Sequence, residues 1–489
     1  MSNIGELEIV TQRRVIALFK NTLGYEYLGD WQERENNRNI EEDYLRRFLL
    51  EKQGYSEDAI TKALYELNRV AGDQSRHLYD INKDVYTLLR YGVNVAGEKG
   101  ENKKTVHLID WKNPENNYFA IAEEVSVSGK HNKRPDIVIY VNGIALGVLE
   151  LKRSIVSVAE GIRQNLDNQN SKFIRHFFST MQLVMAGNDT QGVRYATIET
   201  PEKRYLTWKE DSDIENLLDR HLMQLCEKKR LLELCHNFIV FDAGTKKISR
   251  PNQYFGVKAA EPFIKNREGG IIWHTQGSGK SLTMVWLARW IHENITDSRV
   301  FLITDRTELD DQIEKVFTGV AENIYRTKSG ADLIQKLNAK SPWLLCSLVH
   351  KFGIKNSGGD DYDTNEYLEE LKKAIPVNFT PKGDIYVFVD ECHRTQSGKL
   401  HEAMKEILPN ALFIGFTGTP LLKTDKKKSL EVFGPYIHTY KYDESVKDGV
   451  VLDLRYEARD IDQNITSQER IDQWFEAKTR GLNDLAKAE

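Results

Sequence analysis

Two stretches of this 489-residue sequence place acidic, basic and hydroxyl side chains where chemistry on phosphate esters would need them. The first runs from Lys133 to Arg153 and contains Pro135-Asp136, then Glu150 and Lys152. Side chains alternate along a strand, so Glu150 and Lys152 share a face. Asn142-Gly143 between two apolar runs predicts a two-residue hairpin turn, because both central positions want φ > 0. Pairing about that turn sets Asp136 opposite residue 149, beside Glu150, and a one-residue bulge would bring both carboxylates onto one face. Two converging carboxylates offer hard oxygen ligands suited to Mg²⁺, which keeps several waters and binds phosphate oxygen. Such a metal lowers the pKa of a bound water and neutralises charge as phosphorus is attacked. Lys152 stands where it could orient or deprotonate that water and stabilise the charge that develops.

In the second stretch, the apolar run Ile271-Ile272-Trp273 leads into His274-Thr275-Gln276-Gly277-Ser278-Gly279-Lys280-Ser281 and then the apolar segment Leu282–Ile291. A glycine-containing loop entering a helix N-terminus lets the backbone N–H groups of residues 275–279 cradle a nucleotide phosphate. Lys280 would reach the β- and γ-phosphates, and the Ser281 hydroxyl would ligate Mg²⁺. His274 stands where the general pattern has glycine. The run Ile385–Val389 ends in Asp390-Glu391-Cys392-His393, which would supply Asp390 to hold Mg²⁺ through water and Glu391 to polarise the attacking water. Another apolar run, Leu412–Phe416, is followed by Thr417-Gly418-Thr419-Pro420.

These groups need elements to carry them. Residues 40–70 read as two helices with Ser56 as the N-cap of the second, 104–152 as strands, and 158–183 and 212–235 as helical again. Beyond about 270, short apolar runs (Ile271–Trp273, Val300–Thr304, Trp343–Cys346, Tyr386–Val389, Leu412–Phe416) alternate with helical stretches, the rhythm of an α/β domain with a mostly parallel sheet. The regimes change near residue 240. No apolar run reaches the roughly 18 residues of a membrane span, and Glu6 and Glu8 sit where a signal peptide would be basic. Cys226, Cys235, Cys346 and Cys392 form no CxxC pair, which argues against a structural zinc site and for the reducing cytoplasm. With a net charge of −5, a nucleic-acid partner would have to be met by local patches: Lys130, Lys133 and Arg134, then Lys152 and Arg153, then Lys426 to Lys428.

Pro-Asp, a gap, then Glu-x-Lys resembles the PD-(D/E)xK nuclease superfamily, which implies metal binding by Asp136 and Glu150 and a catalytic Lys152. Relatives with motor partners often carry Gln-x-x-x-Tyr downstream. Here Gln164 is followed by Asn168 in place of tyrosine, and Gln164 is a candidate for positioning the DNA strand. The 390–393 segment resembles a DEAH-type Walker B box. Thr417-Gly418-Thr419 resembles helicase motif III, whose hydroxyls couple nucleotide state to DNA contact, with His393 beside it in that coupling role. Thr304-Asp305-Arg306 resembles motif Ia, and Lys247–Tyr254 resembles an adenine-reading stretch with Gln253 as the base contact.

Taken in order, these motifs resemble the restriction subunit of type I restriction endonucleases. The resemblance implies an α/β chain: a PD-(D/E)xK nuclease-like α/β domain with a helical N-terminal part over 1–240, a RecA-like parallel-sheet P-loop domain over 241–450, and a linker or the start of a second RecA-like domain over 451–489. It implies ATP and Mg²⁺ as cofactors, cleavage of double-stranded DNA coupled to ATP-driven translocation, and methyltransferase and specificity subunits as partners, with no membrane. Such subunits are much longer, so the sequence reads as an N-terminal fragment or a truncated natural product. Lacking a second motor domain's arginine finger, it is expected to bind ATP weakly and turn it over poorly. Two alternatives share these motifs: another nuclease–helicase of repair or end processing, and a DNA-binding ATP switch whose hairpin never cuts.

Overall fold

The computed structural model describes residues 8–96, 103–304, 324–348, 379–392, 404–419, 430–453 and 467–481, together with 317, 373, 375 and 376. Asp305, Arg306, His393, Pro420, the Lys426–Lys428 run and the Leu454–Asp460 segment lie outside the described residues.

The first half contains α1 (Glu8–Ala17), β1 (Glu26–Asp30), α2 (Glu42–Glu51), α3 (Glu57–Ala71), α4 (Leu78–Tyr91), β2 (Val93–Val95), β3 (Lys104–Val106), β4 (Phe119–Glu123), β5 (Ile137–Val141) and β6 (Ile144–Leu151). It continues through α5 (Val158–Asn168), β7 (Leu183–Asn188), β8 (Gly192–Ala196), β9 (Leu206–Thr207), α6 (Leu217–Cys226) and α7 (Lys228–Asn237). Its mixed sheet has the order β1-β4-β5-β6-β7-β8-β9. The central strands β5 and β6 are buried on both faces, so they read as apolar runs rather than clean alternation.

The β5–β6 hairpin turns at Asn142 (φ 52°) and Gly143 (φ 81°), as the residue types require. Next to the turn, Ile144 pairs with Val141 and Ala145 with Tyr140; beyond a register shift, Leu149 pairs with Ile137. That shift is the one-residue bulge, and it carries Asp136 from beside residue 149 to beside Glu150. Ser56 does cap α3, accepting from Ala59 N–H. The helix expected over 158–183 stops at Asn168, and a short 3₁₀ turn and β7 take its place. Ile174, Phe177, Phe178 and Met181 keep helical spacing but fill a core cluster beneath the sheet from an irregular backbone. The 212–235 stretch is two helices, parted where Glu227 leaves helical geometry (ψ 131°) and caps α7 through Lys229 and Arg230 N–H.

A hairpin, β10 (Ile239–Asp242) and β11 (Thr245–Ile248), leads into the second half. There α8 (Pro251–Lys265), β12 (Gly270–His274), α9 (Lys280–Asn294), β13 (Ser298–Thr304), β14 (Tyr325–Arg326), β15 (Leu344–Leu348), β16 (Asp384–Val389), β17 (Leu412–Thr417) and β18 (Tyr436–Tyr440) build a sheet of order β14-β15-β13-β16-β17-β12-β18. Every strand pair recorded in it is parallel. All five strands anticipated from apolar runs are present, and both halves are α/β. One hydrophobic cluster runs without a break from α2–α4 through α6–α8 to α9 and the inner face of this sheet. Among the described residues no helix is long and apolar enough to cross a membrane.

Candidate active site

The hairpin brings Asp136 and Glu150 together in the interior: Asp136 is 8% exposed and Glu150 is 0% exposed. The Asp136 carboxylate accepts from Leu151 N–H at 2.6 Å and lies 3.9 Å from the Lys152 ammonium. Lys152 Nζ donates to Leu151 O at 2.7 Å and to Glu8 of α1 at 3.4 Å. Glu150 is held by α5, where Gln164 Nε2 donates to its Oε2 at 2.6 Å and Asn168 Nδ2 to its Oε1 at 3.3 Å. Residues 164 and 168 are one turn apart and therefore share a face. Gly161 lets α5 approach, since a Cβ there would sit 3.1 Å from Ala186 Cβ and 3.5 Å from Glu150 Cβ.

Burial pushes the Asp136 carboxyl up to about 6, against the pull of Lys152 and the Leu151 N–H. Burial and then the neighbouring Asp136 raise Glu150 well above the usual carboxylate range. Two carboxylates so close and so dry do not both ionise unless a cation joins them. Their all-oxygen chemistry fits a hard divalent ion. No group of three or more Asp, Glu, His or Cys among the described residues could enclose a metal. A cation held here would therefore keep positions for water or phosphate oxygen.

In the second half, the motif loops meet at the carboxyl ends of adjacent parallel strands, where open α/β sheets bind ligands. The loop between β12 and α9 uses positive φ at Gly277 (82°) and Gly279 (91°). Thr275 and Ser278 are buried within it, and Ser278 Oγ donates to Thr275 O at 2.5 Å. Gln276 and Gly277 are exposed on the loop, and Ser281 is half-buried in the first turn of α9. Lys280 Nζ lies 3.5 Å from Glu391 Oε1. Asp390 follows the last residue of β16 and is buried, its N–H bonded to Ile303 O. Thr417 ends β17 and accepts from Thr419 N–H at 3.3 Å, while Gly418 packs so closely that a Cβ would sit 2.6 Å from Lys280 Nζ.

Gln253 is turned toward this loop: its Oε1 accepts from Arg250 N–H at 2.9 Å and its Nε2 donates to Gly279 O at 2.9 Å. His274 occupies a seat that a side chain at Gly256 would fill, and its Nε2 meets His438 Nδ1 at 2.9 Å. Burial holds the His274 imidazole well below its ordinary pKa. The histidine in the glycine position is thus a neutral core residue joining β12 to β18.

Sequence reasoning treated Asn168 as a departure and did not place α1 in this site. The four-residue spacing of Gln164 and Asn168 was the available signal for the first. Nothing local announces Glu8, whose helix α1 is held in place by Arg14 on Asp189 and Asp219 and by Gln12 on Glu123 and Glu124.

Residues 6–203 match the family described as type I restriction enzyme R protein N terminus, and residues 252–488 match the SWI2/SNF2 ATPase family. The endonuclease subunit assigned to the type I restriction enzyme MjaIXP of Methanocaldococcus jannaschii is 30% identical over 444 residues, 82% of this chain and 41% of that protein. The type I restriction enzyme HindI endonuclease subunit of Haemophilus influenzae is 29% identical over 433 residues, 78% of this chain and 39% of its own. The SauMSSORF170P endonuclease subunit of Staphylococcus aureus is 26% identical over 362 residues, 72% and 38% respectively. The chain spans about two-fifths of the length of these curated relatives.

Proposed function

We propose that this chain, which carries the N-terminal region of a type I restriction enzyme R protein followed by a SWI2/SNF2 ATPase region, cuts double-stranded DNA at the Asp136–Glu150 pair and uses ATP at the β12–α9 loop to drive movement on DNA. The reading rests above all on the buried carboxylate pair beside Lys152, an arrangement that is costly unless a cation is bound. Asp136 and Glu150 would hold Mg²⁺, with Gln164 and Asn168 fixing the Glu150 carboxylate; Gln164 would act on the DNA strand through that carboxylate. When bound, Mg²⁺ supplies a more acidic water and neutralises charge on the phosphate. Lys152, 3.9 Å from Asp136, would face the charge that builds on the phosphoryl oxygens.

At the second site, Lys280 would take the β- and γ-phosphates, Ser281 and Asp390 would hold Mg²⁺, and Glu391 would polarise the attacking water. Thr417, Gly418 and Thr419, of which Gly418 lies against Lys280, pass the nucleotide state on to DNA contact, with His393 next to the acidic pair in sequence. Gln253 braces Gly279 and meets the base only by exchanging that bond. A methyltransferase subunit and a specificity subunit complete the assembly, the latter reading the DNA site.

The test is cleavage of an unmodified, site-containing plasmid by the chain assembled with its methyltransferase and specificity partners, ATP and Mg²⁺. Asp136→Ala should abolish cutting and leave ATP hydrolysis at the parent's level. Undiminished cutting by Asp136→Ala would place the nuclease elsewhere.

A further inference from the structure

Two loops leave the segments that hold the carboxylates and join to each other. The first, residues 128–132, is closed by a bridge in which Val127 N–H donates to Lys133 O (2.9 Å) and Lys133 N–H to Val127 O (3.2 Å). It leads through Arg134 and Pro135 directly into Asp136, whose carbonyl accepts from Glu124 N–H at 2.9 Å. The second loop leaves α5 just past Asn168, and Ile174 N–H returns to Asn168 O at 3.2 Å. His131 N–H donates to Lys172 O at 3.1 Å, the His131 ring lies 5.8 Å from that of Phe173, and the Lys133 ammonium sits 4.2 Å from the Phe173 centroid. Gly129 presses against the Phe173 carbonyl, where a Cβ would clash. The two loops therefore move as one body anchored to Asp136 on one side and to the Glu150 clamp on the other.

The charge on this body is one-sided. Arg134 is neutralised by Glu124 at 2.5 Å. Lys130, Lys133 and Lys172 make no ion pair among the described residues. Lys130 and Lys172 are exposed, and Lys133 is half-buried against its aromatic ring. An aromatic face holds a cation in place without cancelling its charge. Phosphate contacts set register and orientation on a duplex and carry no sequence information, which is what a site that cuts without reading sequence requires.

We propose that loops 128–134 and 169–173 form a cationic rim that seats the DNA backbone on the nuclease site, with Lys130, Lys133 and Lys172 as phosphate-contacting positioning residues and Arg134 outside that set. The inference rests on the nuclease reading of Asp136 and Glu150. Each phosphate contact contributes about 0.9 to the slope of log Kobs against log salt. The Lys130→Ala/Lys133→Ala/Lys172→Ala variant should therefore lose about 2.7 from that slope.

The measurement is anisotropy of a short fluorescent duplex titrated with the whole chain in EDTA, between about 50 and 200 mM salt. The corresponding triple Lys→Arg variant should restore the slope, and Arg134→Ala should leave it at the parent's value. An unchanged slope in the triple alanine variant overturns the proposal, as does an arginine variant that behaves like alanine while melting like the parent. Asp136→Ala in the plasmid assay separates the two ideas. Loss of cutting there with an unchanged lysine slope removes the rim and keeps the nuclease; persistent cutting removes the nuclease reading and the rim's role with it.

Discussion

Replacing Asp136 by asparagine should make the metal-free protein more stable at alkaline pH while destroying its proposed activity. In the fold the Asp136 carboxyl titrates near about 6 instead of 3.8, chiefly because it is buried. A carboxyl whose pKa folding raises keeps its proton longer in the folded than in the unfolded chain. Below the unfolded value both states are protonated and stability is intact. As pH rises from about 3.8 to about 6 stability is lost, and above that the loss is complete. At about 1.4 kcal/mol per pH unit this amounts to about 3 kcal/mol. Asparagine keeps an acceptor for the Leu151 N–H and has nothing to ionise. For a domain of this size, 1 kcal/mol is worth roughly 2–4 °C, so Asp136→Asn should raise the melting transition of the first half by about 6–12 °C at pH 8, with the gap closing toward pH 4. Circular-dichroism melts in EDTA across that range measure it. Added Mg²⁺ should raise the parent's melting temperature at pH 8 and leave the variant's almost unmoved. A gap that does not depend on pH, or a variant less stable than its parent at pH 8, would refute the claim that the pair is held at a cost until a cation arrives.

Three further outcomes follow from particular contacts. Lys280→Ala should abolish nucleotide binding in a fluorescent-ATP titration and leave the melting of the first half unchanged, because Lys280 touches only the loop ends of the second sheet; retained affinity would count against the phosphate-cradle assignment. Gly279→Ala should do the same by another route, since φ at 91° is strained for alanine and its Cβ would strike Gln253 Nε2. Lys246→Ala should cost the first half about 3 kcal/mol in urea unfolding, because this buried lysine donates to Asn82 Oδ1 (2.7 Å), Gln182 Oε1 (2.6 Å) and Met181 O (3.0 Å), and the two side-chain oxygens would be stranded while Met181 O keeps its bond from Asn82 Nδ2.

What was legible in the sequence was local. The Asn142-Gly143 turn, the alternation around Glu150 and Lys152, the strand–loop–helix at 271–291 and the Ser56 cap each depend on residues within a few positions of one another, and all are present. The bulge could be inferred from the expectation that the two carboxylates share a face, and it lies between the turn and the Asp136–Glu150 pair. What was not legible depends on distant packing. Helical periodicity runs on past Asn168 because Ile174, Phe177, Phe178 and Met181 serve a core, and a core accepts the same spacing from a 3₁₀ turn. Asn168 reads as a lost tyrosine until α5 is docked on β6 through Gly161. The basic run at 130–134 looks uniform in sequence, yet Glu124 removes Arg134 from it and a segment some forty residues away adds Lys172. Lys246 looks like a surface lysine, and only the joining of α4 and the start of β7 beneath it makes burial tolerable.

The same distant packing makes the two halves one body across the described interface. Arg90 of α4 is buried and paired with Glu293 in the last turn of α9, the helix that begins at Lys280. A 15-residue helix is about 22 Å long, so α9 is a rod with the β12–α9 loop at one end and the first half's α4 at the other. At the loop end, Arg250 Nη1 donates to Gly277 O at 3.4 Å while the carbonyl of the preceding Ser249 accepts from Tyr195 of β8 at 3.0 Å. Lys209, just past β9, pairs with Asp448, which also accepts from Tyr440 at 2.8 Å. Tyr440 in turn accepts the Thr275 N–H through its carbonyl at 2.9 Å. The Arg90 guanidinium is buried while Glu293 reaches solvent, so removing Glu293 would leave Arg90 short of a charged partner at the interface between the halves. Any shift of residues 275–280 must therefore carry the β8–β9 edge and α4 with it or break these bonds, which places the first half in mechanical contact with the β12–α9 loop.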